Sequence, residues 1–217
     1  MPADISQDAI ENTIKMMNQN PSIDGILIQL PLPGQIDTTK LLELVAPNKD
    51  VDGFHPYNVG RLNTGLDGFV PCTPLGVMEL LAEYNIDPKG MNAVVVGASN
   101  IVGKPMAALL LNANATVQVT HIFTKDLKAC TLNADIILVG AGVINLITED
   151  MVKEDAIIID IGINRAPNGK LVGDVDFENV APKSSYITPV PGGVGPMTIA
   201  MLLQNTLRAA QAHAKES

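Results

Sequence analysis

The stretch Val94-Val95-Val96-Gly97-Ala98-Ser99-Asn100-Ile101-Val102-Gly103 decides the fold class of this chain. A short apolar run leads into a glycine-containing turn, and the turn leads into the pattern of a helix. This order leaves unpaired backbone N–H groups at the helix N-terminus, where a phosphate group can bind. The spacing is Gly-x-Ser-x-x-x-Gly rather than Gly-x-Gly-x-x-Gly, so the turn alone does not separate a dinucleotide site from an ordinary αβ turn.

Strands alternate with helices on both sides of this turn. The predicted strands cover residues 93–97, 115–120, 134–139, 156–161 and 186–188, the predicted helices cover 102–112, a short segment near Leu127 and 197–212, and Asn168-Gly169 indicates a hairpin. Such alternation is typical of an α/β protein with a Rossmann-type, doubly wound parallel sheet. The last helix is apolar on one face, and we expect it to pack on the N-terminal segment.

The N-terminal segment is rich in helices and poor in strands. The patterns predict a helix after Ser6 that ends near Asn18, a strand at 25–30, and helices over 37–45 and 73–84. A lone strand cannot satisfy its own backbone hydrogen bonds. We therefore expect that another chain supplies its neighbours or that the chain begins part-way into a domain. The predicted domains are a partial N-terminal α/β domain, 1–87 completed by 197–217, and a Rossmann-type domain, 88–196.

Composition excludes several classes of partner. The chain has 14 Lys and Arg against 23 Asp and Glu, a net charge of −9, and clustered cations are what binds a phosphate backbone. We therefore predict no nucleic-acid partner, and the apolar runs are too short to cross a membrane. Cys72 and Cys130 are far apart in the sequence and lack metal-ligand spacing, so we expect reduced thiols, a cytoplasmic location and no metal site.

Polar residues at three places are candidates for binding a small substrate. Asp50 and Asp52 lie two residues apart and share one side of an extended backbone, where one carboxylate can bind a polar substrate edge or both can stabilise a turn. Gln29 ends an apolar strand, the position where αβ folds place ligands, although a satisfied core amide would also fit. The stretch 189–196 holds three prolines and three glycines, so it has a restricted shape and lets a ligand approach the backbone.

The second predicted strand of the Rossmann-type domain indicates which dinucleotide binds. An NAD site usually has an acidic residue at the end of this strand, which holds the ribose hydroxyls. Here the strand ends in Thr120-His121-Ile122-Phe123-Thr124-Lys125, without an acid. His121 and Lys125 can attract a ribose 2′-phosphate, which favours NADP. Alternatively, His121 caps the strand and Lys125 is solvated.

Six motifs together resemble the bifunctional methylenetetrahydrofolate dehydrogenase/cyclohydrolase family. They occur in order along the whole chain, at 29–33, 49–54, 71–74, 96–105, 160–164 and 189–198. The resemblance implies a folate-binding N-terminal domain, an NADP-binding Rossmann domain and a homodimer. It also implies oxidation of 5,10-methylenetetrahydrofolate by NADP, followed by hydrolysis of the methenyl product to 10-formyltetrahydrofolate. These reactions of one-carbon metabolism supply purine and amino-acid biosynthesis.

The resemblance also assigns roles to individual residues. Those on the folate side are Asp52, which would hydrogen-bond the pterin, Gln29, which would orient the catalytic lysine, and Pro191, Gly192 and Gly193, which would line the folate. Those on the cofactor side are Gly97, Ala98 and Ser99, which would hold the phosphates, and Ile163, which would pack near the nicotinamide. Asp52 and Gln29 are the predicted catalytic residues.

Two departures from the family pattern shape the functional prediction. The family's acid–base lysine lies in an N-terminal Tyr-x-x-x-Lys motif that this sequence does not contain. We therefore expect an N-terminally truncated enzyme, impaired above all in the cyclohydrolase step. Ile122 occupies a position near the ribose 2′-phosphate where relatives often carry a basic or hydroxyl side chain, so this second departure concerns the choice of NADP over NAD. Two alternatives remain open: a catalytically inactive folate- or nucleotide-binding remnant, and another two-domain Rossmann dehydrogenase that resembles shikimate dehydrogenase.

Overall fold

The computed structural model describes residues 4–216 and contains a five-stranded parallel sheet. Its strands are β1 (Asn92–Val96), β2 (Thr116–Thr120), β3 (Ile136–Val139), β4 (Ala156–Asp160) and β7 (Ser184–Ile187). They lie in the order β2-β1-β3-β4-β7, and every neighbouring pair is parallel. The predicted α/β fold with a parallel central sheet is confirmed.

Alternate residues of the strands pack on opposite faces of this sheet. Val95 and Leu138 lie in one apolar cluster, together with side chains from α4 (Cys72–Glu83) and α5 (Gly103–Asn112). Val94 and Ile137 lie in a second cluster on the other face. Because both faces are covered there, β1, β3 and β4 are apolar at nearly every position, which explains why they appear in the sequence as continuous apolar runs.

Further elements connect and follow the strands of the sheet. They are α6 (Leu127–Thr131), the antiparallel pair β5 (Asn164–Arg165) and β6 (Leu171–Val172), α7 (Phe177–Val180) and α8 (Val194–Glu216). The β5–β6 pair is the predicted hairpin at Asn168-Gly169, and Gly169 has a φ of 80°. Within residues 4–216, no helix combines the length and the apolar character needed to cross a membrane.

The N-terminal segment contains three helices, α1 (Gln7–Gln19), α2 (Thr38–Leu44) and α3 (Pro56–Asn63), and side chains of α1 and α2 contribute to its core. Ser6 caps α1 by accepting the Ala9 N–H at 3.3 Å, and Asp37 caps α2 by accepting the Lys40 N–H at 3.1 Å. The core consists of Ile10, Ile14, Ile26, Ile36, Leu41 and Val45. Both capped helices match the predicted ones.

The predicted strand at residues 25–30 is wrong. In the described part of the chain, this segment forms one isolated parallel bridge, between Ile26 and Asp50, and the Ile26 N–H donates to the Lys49 carbonyl at 2.7 Å. The partner segment turns immediately afterwards, because the Gly53 N–H donates to the Asp50 carbonyl at 3.1 Å. A bent partner cannot continue a ladder, so the apolar residues pack without forming a strand.

Two helices differ from their predicted extent. The sequence patterns did not predict α3, although His55 is its N-cap and Pro56 its first residue, a favoured arrangement. The last helix was expected over 197–212, but α8 begins at Val194, inside the proline-glycine stretch, and ends at Glu216.

The described chain divides into two compact units. The first contains the residues up to Cys72 and those from Leu202 onward, and the second contains Thr73–Met201. In the first unit, Leu202 and Ala209 of α8 pack with Val51 and Phe69, as expected for a C-terminal helix that completes this unit. These limits differ from the predicted boundaries at 87/88 and 196/197, so the folate and NADP domains stay predictions. Residues 1–3 and 217 of the predicted first domain lie outside the described residues.

Candidate functional site

The turn between β1 and α5 has a shape that requires glycine at two positions. Gly97 has a φ of 114°, and a Cβ there would overlap the carbonyl oxygen of Gly140. A Cβ on Gly103 would overlap the Gly97 carbonyl oxygen and lie 2.7 Å from its carbon. The turn and the first residue of α5 therefore lie in direct backbone contact. Neither position leaves room for a larger residue.

Ser99 organises the N-terminus of α5. Its Oγ accepts the N–H groups of Val102 at 3.2 Å and of Gly103 at 3.3 Å. The side chain is exposed, so its hydroxyl proton is available to a ligand. A hydroxyl and nearby helix amides suit an anionic phosphate, because the amides add partial positive charge. The turn at Gly97, Ala98 and Ser99 has the strand–turn–helix geometry that the sequence predicts, and phosphate binding there stays a prediction.

A cavity of about 610 Å³ adjoins this turn. A smaller cavity, of about 380 Å³, lies elsewhere in the second unit. The lining of the larger cavity includes Gly97, Ala98, Ser99, Thr120, His121, Ile122, Thr124, Gly140, Ala141 and Val143. It therefore joins the glycine turn to the ends of β2 and β3. In parallel sheets, the carboxyl ends of the strands are where ligands bind. These residues fit a dinucleotide.

His121, at the end of β2, offers a polar donor to this cavity. The His121 Nδ1 accepts the Phe123 N–H at 3.2 Å, so its proton is on Nε2, which can donate to an anion. Ile122 is 92% exposed and gives no polar contact. Lys125 is exposed as well. The structure thus places His121 and Ile122 in the cavity lining and leaves Lys125 outside it.

The loop after β3 contributes residues that the sequence patterns did not identify. The N–H groups of Ala141, Gly142 and Val143 all donate to the carboxylate of Asp174, at 2.6 Å, 2.8 Å and 2.9 Å. Asp174 lies 31 to 33 residues away in the sequence. The only local signal was a pair of glycines, Gly140 and Gly142, directly after a predicted strand. Side-chain patterns within one segment cannot show such a distant partner.

Ile163 lies on the surface of the second unit. It is 65% exposed, and it is not among the residues that line the 610 Å³ cavity. Its neighbours are fixed: Gly162 N–H donates to Asp160 Oδ1 at 2.9 Å, and Asn164 Nδ2 donates to Asp174 Oδ1 at 2.7 Å. An exposed apolar side chain on a fixed backbone is suited to cover a ligand.

The structure gives Asp50 and Asp52 different surroundings. Asp50 is buried, and its carboxylate accepts the His55 N–H at 2.9 Å and the Asn58 Nδ2 at 2.8 Å, which stabilises the start of α3. Asp52 is half-buried, and one of its oxygens accepts the Cys72 thiol at 3.8 Å. Asp50 is therefore part of the turn, while Asp52 is the carboxylate that suits a ligand.

The backbone around Asp52 is tightly held. Gly53 has a φ of 72°, and a Cβ on it would lie 2.6 Å from the Val70 carbonyl carbon. Asn205 of α8 is buried and donates from Nδ2 to the carbonyls of Val51 at 2.9 Å and Val70 at 3.1 Å. The last helix thus fixes both chain segments that border Asp52. Asn205 is another residue that the sequence patterns did not single out.

Burial changes the acid–base properties of this cluster. Burial and the neighbouring Asp50 raise the pKa of Asp52 from 3.8 to about 6, against a smaller opposite effect of the Cys72 hydrogen bond. Burial, together with the Asp52 charge, raises the pKa of Cys72 to about 12. At neutral pH, Asp52 is ionised and accepts hydrogen bonds, whereas Cys72 is a neutral thiol without nucleophilic character.

The proline-glycine stretch borders the smaller cavity. Gly192 has a φ of 104°, and a Cβ on Gly193 would lie 2.5 Å from the Pro189 carbonyl oxygen. Gly192 and Gly193 belong to the lining of the 380 Å³ cavity, whereas Pro191 is exposed and is not in it. The loop therefore presents backbone rather than side chains, as its composition predicts.

Gln29 lies in the first unit on a segment without regular structure. It is exposed, and its Nε2 donates to the Leu30 carbonyl at 3.2 Å. It is therefore not the satisfied core amide that one interpretation of the sequence proposed. Of the predicted site residues, the structure brings Gly97, Ala98 and Ser99 together around one cavity. Gly192 and Gly193 lie together at the other cavity. The roles of all the predicted site residues stay predictions: Gly97, Ala98, Ser99, Gln29, Asp52, Pro191, Gly192, Gly193 and Ile163.

Comparison with known proteins gives matches along nearly the entire chain. The model of the tetrahydrofolate dehydrogenase/cyclohydrolase catalytic domain matches residues 1–52, and that of the tetrahydrofolate dehydrogenase/cyclohydrolase NAD(P)-binding domain matches residues 71–214. The bifunctional protein FolD of Sulfurimonas denitrificans is 83% identical over 217 residues, which are all of this chain and 76% of that protein.

Solved structures agree with these matches. The bifunctional enzyme FolD, a methylenetetrahydrofolate dehydrogenase/cyclohydrolase from Campylobacter jejuni, has a TM-score of 0.95 and 60% identity, over 97% of this chain and 75% of that chain. The FolD of Trypanosoma brucei, solved with NADP cofactor and an inhibitor, has a TM-score of 0.93 and 38% identity, over 99% of this chain and 75% of that chain. This chain therefore belongs to the tetrahydrofolate dehydrogenase/cyclohydrolase family.

Proposed function

We propose that this chain is a methylenetetrahydrofolate dehydrogenase and methenyltetrahydrofolate cyclohydrolase that uses NADP, and that its cyclohydrolase step is impaired because the sequence lacks the Tyr-x-x-x-Lys motif. The observation that carries the proposal is the 83% identity to a bifunctional FolD over all 217 residues. Such identity leaves little room for a change of chemistry, and it decides against an enzyme of the shikimate dehydrogenase type. The glycine turn and its 610 Å³ cavity support the cofactor, because they present the donors that a dinucleotide needs.

Binding of the two reactants can be assigned to different parts of the chain. The chemistry that NADP supplies when bound is the acceptance of a hydride from the one-carbon bridge of the folate. Gly97, Ala98 and Ser99 are proposed to hold its phosphates, with the N–H groups of Ala98 and Ser99 and the Ser99 hydroxyl as donors. The Gly97 N–H donates to the Thr120 carbonyl at 3.0 Å, so Gly97 contributes through its backbone shape. Hydride transfer needs accurate positioning more than acid–base catalysis, so residues that orient the reactants matter most. We assign nicotinamide packing to Ile163 and folate contacts to Pro191, Gly192 and Gly193.

Asp52 is the proposed ligand of the pterin ring. Its carboxylate accepts hydrogen bonds at neutral pH, and the pterin edge offers N–H donors. Because Asn205 and Gly53 fix the backbone around it, the carboxylate is positioned before the substrate binds. Gln29 is exposed. The resemblance gives it the role of orienting an acid–base lysine, which this sequence does not contain.

Two properties of the protein as a whole are also proposals. A homodimer is supported by the segment at 25–30, which in the described residues forms only one bridge, and light scattering on the purified chain tests it. A cytoplasmic location is supported by Cys72 and Cys130, which are both free, because reducing compartments keep thiols unpaired. Fractionation of the native cells tests the location.

The test is a kinetic assay of NADPH formation from NADP and 5,10-methylenetetrahydrofolate. We expect turnover by the unmodified chain and a loss in Asp52→Asn of about tenfold or more in kcat/KM for the folate, because a hydrogen bond to a charged group contributes about 1.5–3 kcal/mol. The exposed Asp8→Asn is the matched control and should behave like the unmodified chain. NADP binding without any turnover would instead support the inactive remnant.

A further inference from the structure

Two buried carboxylates lie beneath the cofactor cavity, and no step described above uses them. Asp174 has an exposed fraction of 0%, and Asp160 one of 3%. Burial of a charged group is costly unless hydrogen bonds replace its water. This cost indicates that the two carboxylates have a role, and the backbone segments that donate hydrogen bonds to them indicate which role.

Asp174 holds the loop that follows β3. It accepts three consecutive N–H groups, those of Ala141, Gly142 and Val143, within 2.6–2.9 Å. The φ of Gly142 is 71°, which lets the three N–H groups converge on one carboxylate. Ala141 and Val143 also line the 610 Å³ cavity. The same short loop therefore contacts the carboxylate on one side and the cavity on the other.

Asp174 also holds the segment that carries Ile163. Asn164 Nδ2 donates to Asp174 Oδ1 at 2.7 Å and to the Gly173 carbonyl at 3.1 Å. A Cβ on Gly162 would lie 2.7 Å from Asp174 Oδ2, so the carboxylate also packs against this segment from below. Ile163 lies between these two fixed residues.

Asp160 connects this arrangement to the end of β4. Its carboxylate accepts the N–H groups of Gly162 at 2.9 Å, Asp174 at 3.0 Å and Val175 at 2.9 Å. A Cβ on Gly173 would overlap the same carboxylate, so no larger residue fits there. Burial raises the pKa of Asp160, while these N–H groups oppose the shift. Asp160 thus fixes the backbone from which Asp174 projects.

We infer that Asp174 is a positioning residue for the cofactor, which holds the Ala141–Val143 loop and the Ile163 segment in one arrangement around the dinucleotide site. The inference rests on the proposed function, since it names how that site is shaped. Asp174 does not touch the cofactor. Loss of its carboxylate should displace the loop and weaken cofactor binding, while folate binding and the maximal rate change little.

The experiment measures the Kd for NADPH by fluorescence titration of the purified chain and of Asp174→Asn. The carboxamide has nearly the same shape, but its NH₂ group faces N–H donors instead of accepting from them. We expect the Kd for NADPH to rise about tenfold or more, kcat at saturating NADP to change less than threefold, and the KM for the folate to change less than twofold. A merely structural role would lower the melting temperature without changing the Kd.

The matched control is Asp176→Asn, two residues away. Asp176 is partly exposed, and its carboxylate accepts from Asn179 Nδ2 at 2.7 Å, so the same charge is removed without touching the loop. Its Kd for NADPH should stay within twofold of the unmodified chain. If Asp174→Asn does not fold, Asn164→Ala removes one link to the carboxylate and leaves the three backbone donors in place.

The outcomes separate this inference from the proposed function. A rise of the Kd in Asp174→Asn, or of threefold or more in Asn164→Ala, supports the inference. A folded Asp174→Asn, or failing that Asn164→Ala, with an unchanged Kd overturns it and leaves the proposed function intact. If the unmodified chain binds neither NADPH nor NADH, the proposed function fails, and the inference fails with it.

Discussion

Replacing Gly103 by alanine tests the packing between the glycine turn and α5. The new Cβ would overlap the Gly97 carbonyl oxygen and lie 2.7 Å from the Gly97 carbon. The neighbour is backbone rather than the end of a flexible side chain, so relaxation must move the turn or the helix. Overpacking of this kind typically costs about 1–3 kcal/mol. Because the same turn is the proposed phosphate site, cofactor binding should weaken together with stability.

Gly60→Ala is the matched control for this substitution. Gly60 lies inside α3 and is exposed, and a Cβ added to it would meet no atom of another segment within 4 Å. Alanine in the interior of a helix is favoured over glycine by about 0.5–1 kcal/mol, so this variant should gain stability. The two glycine-to-alanine changes are thus expected to shift stability in opposite directions.

Thermal unfolding and NADPH titration provide the readouts for both variants. For a chain of this size, each kcal/mol corresponds to a change of about 2–4 °C in melting temperature, so both shifts are measurable. We expect Gly103→Ala to unfold earlier and to bind NADPH at least several-fold more weakly, and Gly60→Ala to unfold later and to bind normally. If Gly103→Ala is as stable as the unmodified chain and binds NADPH equally well, the close backbone contact does not exist as described.

Three further predictions concern titration, reactivity and cofactor choice. The pKa of Asp52 is raised to about 6, so its protonated form stabilises the folded state, and this contribution is lost as the pH rises from about 4 to about 6. In urea unfolding, the free energy of unfolding of Asp52→Asn relative to the unmodified chain should therefore be higher at about pH 8 than at about pH 4. An equal difference at both pH values would contradict the pKa shift. Burial raises the pKa of Cys72 to about 12, so a thiol reagent at pH 8 should label Cys130 in the native protein and Cys72 only in urea. In Cys130→Ser, the remaining thiol is that of Cys72, and its rapid labelling in the native protein would refute this prediction. His121→Ala should raise the Kd for NADPH about tenfold, because it removes one hydrogen bond to a charged group, and should leave the Kd for NADH unchanged. Equal weakening of both cofactors would show that His121 does not bind the 2′-phosphate.

The parallel sheet was predictable because its signals are local. The central strands β1, β3 and β4 are short apolar runs bounded by turn residues, as at Val96-Gly97. A strand buried on both faces needs little information from distant segments to be recognised. The glycine turn was predictable for the same reason, since the strand, the turn and the helix are contiguous in the sequence.

The N-terminal segment was harder to predict because its backbone partners are not contiguous. The run at 25–30 has the composition of a strand, but the chain at Lys49 to Gly53 turns after one bridge. Helix α3 was missed because Gly60 and exposed polar side chains weaken its pattern. Its N-terminal signal, His55 followed by Pro56, is present in the sequence, but one capping pair does not by itself establish a helix.

The supporting residues of the site could not be predicted from local patterns. Asp174 acts on a loop more than 30 residues earlier, and Asn205 holds a turn 154 residues earlier. In the sequence, each is a single polar residue with no distinguishing neighbours. Their roles follow from burial and hydrogen-bond direction, which only the fold determines.

A crystal structure of this chain with NADPH tests the central claim most directly, because it locates the dinucleotide. The account predicts that the pyrophosphate lies on the turn formed by Gly97, Ala98 and Ser99, with the ribose phosphate within hydrogen-bonding distance of His121 Nε2. A dinucleotide bound elsewhere, with the 610 Å³ cavity empty or closed, would contradict the assignment of the cofactor site.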